Sequence, residues 1–236
     1  MRALYLCLLS LVPVLGNAQD DTRVRCRFLC MDGATPPDSL LNVSDKGVEV
    51  ACKIGSNTLS PETLCFTKGN SIAFLSTDRK PAATATIPAG LKAAILVFVP
   101  APKAPDAVPW RVFVIEDSEK NFPDGGAFVA NFHSQDIRFV IGENKIQLRP
   151  AGSHGFARPE KLDDFNMAPV VFQFQQDEVW RTASESLLRF LPGMRYLIFA
   201  YVDPASGRPR ISTCQDIKSF TPPAPDKPAA AAAPVR

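Results

Sequence analysis

Two stretches decide the fold of this chain: IPAGLKAAILVFV (residues 87–99) and LPGMRYLIFAYV (residues 191–202). Each begins with a proline–glycine break and continues as a long apolar run, a pattern that predicts a turn followed by a β-strand. The runs are apolar at successive positions, which indicates strands covered on both faces. When the two stretches are aligned on their glycines, Ile95 matches Ile198. We therefore predict one structural plan that occurs twice.

Two weaker echoes keep the same order along the chain. KIGSN (residues 53–57) resembles VIGEN (residues 140–144), and TLCFTKGNSIAF (residues 63–74) resembles KIQLRPAGSHGF (residues 145–156). The second half is longer before its proline–glycine break, and the added part contains PVVFQFQQDEVWRT (residues 169–182). Its two alternating runs flank the polar QQDE, as in a β-hairpin. These echoes predict an internal duplication whose second copy carries an extra hairpin.

The composition favours an all-β fold. Short runs of Val, Ile and Phe are broken by frequent prolines, 22 among 236 residues, and no stretch has sustained helical periodicity. We predict two tandem antiparallel β-sandwich domains of the immunoglobulin-like kind, residues 19–118 and 119–220. The apolar second faces of the matching strands offer a surface on which the two domains can pack together.

The two ends of the chain differ from its middle. Arg2, an apolar run over residues 3–15 and small residues at 16–18 predict a secretory signal peptide, residues 1–18, that is cleaved before Gln19. The alternative is a membrane anchor, but the run is shorter than the ~20 residues that a spanning helix needs. We expect an exported protein, periplasmic or extracellular, with no integral membrane segment after cleavage. Residues 221–236, rich in Pro and Ala, are predicted to be a disordered tail.

Charge excludes some function classes. The chain has 26 basic and 24 acidic residues, so it lacks the basic field that nucleic acid requires. Arg23, Arg25 and Arg27 alternate with apolar residues and are predicted to form a solvated strand face. The sequence contains neither a CxxC pair near histidine nor a D-x-D-x-D-G calcium loop, and we expect no metal and no cofactor.

Five cysteines follow the predicted signal peptide: Cys26, Cys30, Cys52, Cys65 and Cys214. An odd number leaves at least one outside any internal disulfide. Cys26 and Cys30 lie four residues apart on one predicted strand, about 13 Å, which is too far for a bridge. Two interpretations remain. We favour small core residues at Cys26, Cys30 and Cys52; the alternative is a disulfide from Cys52 to Cys26, Cys30 or Cys65, with Cys52–Cys65 as the candidate pair.

The two histidines are the candidates for catalysis. His133 follows a predicted strand, and His154 lies on a predicted turn; Ser134 or Ser153, with an acid such as Asp136, would complete a hydrolase site. Such catalysis requires hydrogen-bond proximity in the fold, which neighbourhood in sequence does not supply. GSHG also lacks the G-x-S-x-G nucleophile pattern. The sequence therefore favours ordinary surface or turn histidines in a noncatalytic protein.

The two tryptophans are the candidates for binding. Trp110 follows a proline-rich loop, and Trp180 lies on the predicted extra hairpin. An exposed indole on a β-sandwich serves as a platform for a sugar or a protein partner. The alternative, which we favour, is packing in a core or across strands.

One resemblance accompanies these patterns. It is carried by the exported amino terminus, the cysteine-bearing first strand RVRCRFLCM (residues 23–31), the proline–glycine strands and FPDGGAFVANF (residues 122–132). Together they resemble uncharacterised exported bacterial β-sandwich proteins. The resemblance implies a fold and a compartment, and it carries no activity and no functional residues.

Three functional hypotheses follow from the sequence. The first is a noncatalytic exported binding, adaptor or envelope-assembly protein whose partner is another envelope or secreted protein. The second is a carbohydrate-binding protein that uses Trp110 or Trp180. The third is a secreted hydrolase that uses His133 or His154.

Overall fold

The computed structural model describes residues 22–31, 35–37, 39–102, 104, 107–203 and 206–217. These residues form sixteen strands and contain no helix, so the all-β prediction is confirmed for this part of the chain, and no helix that could cross a membrane is found within it. The predicted signal peptide and tail lie outside the described residues. The strands are β1 (Arg23–Cys30), β2 (Leu40–Val43), β3 (Glu49–Cys52), β4 (Thr63–Phe66), β5 (Ser71–Leu75), β6 (Pro81–Thr86), β7 (Ala93–Pro100), β8 (Trp110–Glu116), β9 (Ala127–Asn131), β10 (Ile137–Ile141), β11 (Asn144–Leu148), β12 (Ser153–Phe156), β13 (Met167–Gln176), β14 (Val179–Arg189), β15 (Met194–Val202) and β16 (Pro209–Ile217).

The strands form four sheets of four strands. Sheet I has the order β4–β1–β7–β8, and sheet II has the order β3–β2–β5–β6. Sheet III has the order β12–β9–β15–β16, and sheet IV has the order β11–β10–β13–β14. Adding eight to each strand number of sheets I and II gives the orders of sheets III and IV. The N-terminal unit (β1–β8) and the C-terminal unit (β9–β16) therefore have the same strand order.

The proline–glycine stretches occupy matching places in the two units, because they lead into β7 and β15. Gly90 and Gly193 have φ angles of 82° and 78°, which only glycine adopts without cost. Each is the third residue of a turn closed by a backbone hydrogen bond, from the Leu91 N–H to the Pro88 oxygen and from the Met194 N–H to the Leu191 oxygen. The glycines thus fix the entry of both central strands.

Two expectations from the sequence are wrong in detail. Sheets I and III are mixed rather than antiparallel, because β1 pairs with β7, and β9 with β15, in parallel. The second unit has no extra hairpin: β13 and β14 correspond to β5 and β6, but are 10 and 11 residues long instead of 5 and 6. The added residues lengthen an existing hairpin.

The two weak sequence echoes fall at places that do not correspond. KIGSN follows β3, whereas VIGEN turns from β10 into β11. TLCFTKGNSIAF spans β4 and β5, whereas KIQLRPAGSHGF spans β11 and β12. Of the three pairs of similar sequence stretches, only the proline–glycine pair lies at equivalent places in the two units.

Three apolar layers hold the four sheets together. Phe28, Phe74 and Phe98 meet edge to face between sheets I and II, with ring centroids 5.4 to 6.3 Å apart. Phe139 and Phe172 stack at 5.3 Å in the layer between sheets III and IV. The third layer lies between sheets I and III and joins the two units; it includes Leu29, Ile95, Val97, Phe128, Leu197 and Phe199.

The third layer explains why the central strands are apolar at every position. On β7, Leu96 and Phe98 face the core of the N-terminal unit, while Ile95 and Val97 face the other unit. The same alternation occurs on β15. Side chains of a strand point to opposite faces in turn, so a strand between two cores needs both sets to be apolar.

Candidate functional site

The largest change between the two units is the long β13–β14 hairpin, which ends in a two-residue turn. Asp177 and Glu178 form this turn with φ angles of 50° and 62°, the left-handed geometry of the tight turns that match strand twist. The pairing shifts between Phe172 and Gln173, where a β-bulge bends the strand. The outer half of the hairpin therefore departs from the regular ladder of sheet IV.

A pocket of about 730 Å³ lies under this outer half of the hairpin. The loop after β9 lines it with residues 133–135, the hairpin with residues 174–177 and 183, and the β15–β16 turn with residues 207–209. The three segments are far apart in sequence and are brought together by the fold. The volume is within the ~300–1,000 Å³ typical of small-molecule sites.

His133 is the most buried polar residue of the pocket, with 8% of its surface exposed. Its backbone N–H donates to Asn131 Oδ1 at 2.8 Å, and its Nδ1 accepts the N–H of Gln135 at 3.0 Å. Burial lowers the pKa of His133. The lowered pKa and the hydrogen bond that Nδ1 accepts both favour the neutral imidazole with its proton on Nε2.

Asn131 fixes the loop that carries His133. This fully buried residue donates from Nδ2 to the Gln135 oxygen at 2.9 Å and to the Leu148 oxygen at 3.1 Å. The second bond connects β9 in sheet III to the end of β11 in sheet IV. Buried hydrogen-bonded networks of this kind hold a loop in one conformation, so the position of the imidazole is set by the core.

The rest of the pocket lining combines polar and apolar residues and has little net charge. Gln135, Gln175 and Gln176 contribute amides, each of which both donates and accepts hydrogen bonds. Asp177 and Arg208 contribute one charge of each sign, and Phe174 provides an aromatic surface. The lining therefore suits a ligand with several hydroxyl or amide groups and no net charge.

The two tryptophans, which are the binding candidates from the sequence, are not among the residues that line this pocket. Trp110 packs on the N-terminal core, with its ring edge-on to Phe98 at 6.5 Å. Trp180 is half-buried beneath the Arg138 guanidinium, 3.8 Å from the ring centre. It faces Gln175 across the hairpin, next to the pocket.

His154 is exposed, and it lies on strand β12 rather than on the predicted turn. Its ring meets Phe156 edge-on at 5.1 Å. Of the acids and hydroxyls considered for a hydrolase, Asp136 accepts a hydrogen bond from Gln147 Nε2 at 2.8 Å, while Ser134 lines the pocket beside His133. The structure thus brings one histidine, His133, into a cavity.

The five cysteines in the described part of the chain are all buried. Cys26, Cys30, Cys52 and Cys65 lie in the core of the N-terminal unit, whereas Cys214 lies in the layer between the units. The Sγ atoms of Cys52 and Cys65 are 4.0 Å apart. Cys52 and Cys65, the candidate disulfide pair, are therefore neighbours in the fold, and both are free thiols in this structure.

A cluster of four charges that we did not predict from the sequence lies at the junction of the two units. Arg27 donates to Asp117 and Asp216, each at 2.8 Å. Arg195 donates to Asp117 at 3.1 Å and to Asp216 at 2.5 Å. Its guanidinium also lies 3.9 Å from the centre of the Phe122 ring. Each arginine thus connects both carboxylates, and we call these four charged residues the junction quartet.

Burial disfavours the charge on Asp216, but hydrogen bonds and charges from Arg27 and Arg195 outweigh this effect and lower its pKa. Burial likewise opposes the charge on Arg27, and the two carboxylates outweigh it and raise the pKa of Arg27. Arg27 is thus an internal ion-pair residue, not part of a solvated strand face. A signal was present in the sequence, because the last strand of each unit ends near an aspartate, Asp117 or Asp216.

Comparisons of the chain with models of known protein families and with curated proteins find no match.

Proposed function

We propose that this chain is an exported binding protein and that the pocket beside His133 holds its ligand. The observation that carries the proposal is the construction of that pocket, in which three distant segments line about 730 Å³ beside a buried, hydrogen-bonded imidazole. Binding sites are concave and contain a few fixed polar groups beside an aromatic or apolar surface. The rigid loop of His133 and the ring of Phe174 supply these two elements.

The ligand class follows from the lining. A balanced pair of charges and three amides favour an uncharged ligand rich in hydroxyl groups, such as a saccharide. This proposal keeps the carbohydrate hypothesis from the sequence but moves the site from the tryptophans to the pocket. Trp180 remains useful, because it faces Gln175 of the lining and its fluorescence should respond to a bound ligand.

The fold supports a more detailed interpretation as well. The same order of eight strands in each unit and the shared proline–glycine turns favour two tandem immunoglobulin-like sandwiches that arose by duplication. In such an arrangement the longer hairpin of the second copy is the part that acquired the pocket.

The test uses the chain with Trp110→Phe, which leaves Trp180 as its one indole. Neutral oligosaccharides are titrated against this variant, and quenching or a shift of the Trp180 emission gives Kd. Ala183→Lys, which places a long side chain in the pocket, should weaken binding at least tenfold. Leu187→Lys is the matched control, because it makes the same change on β14 outside the pocket and should leave Kd unchanged. Equal Kd values for both lysine variants would refute the site.

A second candidate function is favoured by strand β14 itself. It is the edge of sheet IV, it is 11 residues long, and its Val179 and Leu187 side chains are 54% and 57% exposed. Such an edge accepts an extended segment of a partner protein as an added strand. Crosslinking in the host, followed by mass spectrometry, would identify that partner. If β14 binds a partner protein, Leu187→Lys should reduce crosslinking of that partner more than Ala183→Lys, which then serves as the control.

Export is tested separately. The protein isolated from its host should begin at Gln19 when its amino terminus is sequenced, and it should fractionate with the periplasm or the medium. An intact Met1 on cytoplasmic material would contradict the proposed location without affecting the pocket.

A further inference from the structure

The core of the N-terminal unit contains four cysteines. Two of them, Cys26 and Cys52, contact a third, Cys65. Cys26 lies on β1 and Cys65 on β4, both in sheet I, whereas Cys52 ends β3 in sheet II. All three are completely buried. β3 and β4 are edge strands on the same side of the unit, where the two sheets approach each other. This approach places Cys52 Sγ 4.0 Å from Cys65 Sγ.

We propose that Cys52 and Cys65 are a redox pair that closes into a disulfide between sheets I and II. A disulfide has sulfurs ~2.05 Å apart, so the two side chains together must move their sulfurs closer by about 2 Å. The proposal concerns the N-terminal unit and is independent of any ligand in the pocket.

The strand register indicates why Cys26 is not the partner of Cys65. Cys65 is directly opposite Val24, and Cys26 is directly opposite Thr63, so the two cysteines are diagonal neighbours on adjacent strands. Diagonal Cα atoms are ~7–8 Å apart, whereas a disulfide requires less than ~7 Å. A Cys26–Cys65 bridge would therefore require the backbone of sheet I to move, and the Cys52–Cys65 bridge is the one that fits.

The reaction needs an oxidant of the disulfide class, such as glutathione disulfide or the disulfide of a thiol oxidoreductase. One cysteine thiolate attacks the oxidant, forms a mixed disulfide and releases one thiolate of the oxidant. The second cysteine thiolate then attacks the protein sulfur, releases the other thiolate and completes the bond. The two protons from the cysteines go to the released thiolates, so the pair is oxidised by two electrons and the oxidant is reduced to two thiols.

The position of the pair determines when this reaction occurs. The contact with Cys65, together with burial, raises the pKa of Cys52, and the contact with Cys26, together with burial, raises the pKa of Cys65. A thiol with a raised pKa is a poor nucleophile, and a buried one is not reached by an oxidant. The bond therefore forms while the chain folds, before the core of the unit closes.

The test starts from the reduced, denatured chain, which is refolded in a glutathione redox buffer. Remaining thiols are alkylated, and the protein is digested with trypsin without reduction. Exposed Lys53 separates the two cysteines, so the bridge should join GVEVACK (residues 47–53) to IGSNTLSPETLCFTK (residues 54–68). A linked pair of these peptides supports the proposal. A linkage that contains Cys26 in place of Cys52, or complete alkylation of Cys52 and Cys65, overturns it.

Stability provides a second measurement with a matched control. The bridge closes a short loop, since the two cysteines are 13 positions apart in sequence, and should raise Tm by roughly 6–12 °C relative to the reduced protein. Cys52→Ala should remove this difference between oxidised and reduced protein. Cys26→Ala removes an equally buried thiol from the same core and should keep the difference while lowering both Tm values. An equal loss of the redox difference in both variants would overturn the assignment of the pair.

Discussion

Replacing Asp216 by asparagine should destabilise the protein strongly, because Asp216 neutralises two arginines at the junction of the units. Asp216 receives hydrogen bonds from Arg27 at 2.8 Å and from Arg195 at 2.5 Å, and its side chain is 6% exposed. In Asp216→Asn, one carboxylate (Asp117) remains for two guanidinium groups. The amide NH₂ of the new side chain is a hydrogen-bond donor, and it faces a guanidinium N–H, which is also a donor. Breaking a buried ion pair by removing one partner costs about 3–5 kcal/mol.

This cost converts to a fall in Tm of roughly 6–20 °C for a chain of this size. Calorimetry or urea unfolding measures it. Glu62→Gln is the control, because Glu62 pairs with Arg25 at 3.8 Å and both side chains are about half exposed. A surface pair of this kind contributes at most about 1 kcal/mol. If Asp216→Asn loses no more stability than Glu62→Gln, the junction quartet does not hold the two units together as described.

The same residue predicts an acid dependence. The pKa of Asp216 is lower in the folded protein than in the unfolded chain. The ionised carboxylate therefore stabilises the fold fully above the unfolded-state pKa, and this stabilisation is lost as pH falls through the folded-state pKa. The unfolded value is about 3.9, and the loss therefore begins below about pH 4. In that range the stability of the wild type should fall towards that of Asp216→Asn. A constant difference between the two proteins down to about pH 2 would contradict this sign.

Three further predictions address the C-terminal unit. Burial lowers the pKa of His133, so the neutral imidazole contributes to the stability of the fold above its unfolded-state pKa of 6.5, and this contribution is lost as pH falls below that value. His133→Gln should therefore flatten the dependence of Tm on pH between about pH 7 and pH 5. Phe199→Ala should cost about 3–5 kcal/mol of unfolding free energy in urea, because the ring is fully buried between the units and stacks on Phe132 at 5.5 Å. A cost below about 1 kcal/mol would mean that the layer between the units contributes little. Gly155→Ala should lower Tm by an amount equivalent to about 1–3 kcal/mol, since its Cβ would lie 2.3 Å from the Asn121 oxygen, and an unchanged Tm would show that β12 can move away from that backbone.

Much of the fold could be predicted because apolar alternation reports directly on burial. The runs in β7 and β15 are apolar on both faces, and each lies between two cores. The register could not be predicted to the residue. Ile95 and Ile198, matched through the glycines, face different layers. The residue of β15 that faces the same layer as Ile95 is Leu197, one position nearer its glycine, and a shift of one residue changes the face.

The strand pairing, the junction quartet and the pocket of His133 could not be predicted from the sequence, for a different reason. Alternation describes the two faces of a strand but not its neighbours, so the parallel pairs β1–β7 and β9–β15 left no signal. Arg27 was predicted to be solvated because it alternates with apolar residues along its strand; its partner Asp216 is 189 positions away. The pocket of His133 likewise depends on three segments that meet only in the folded chain.

The parallel pairs also set the order of events during synthesis. β1 lies in the middle of sheet I and pairs with β7, so this pairing cannot be completed until Pro100 has left the ribosome. Proteins dominated by contacts between distant residues fold slowly, because a long loop must close before any contact stabilises it. The nascent N-terminal unit therefore remains an open chain over most of its length. A chain in this state leaves the apolar positions of β1 exposed until β7 is available to pair with it.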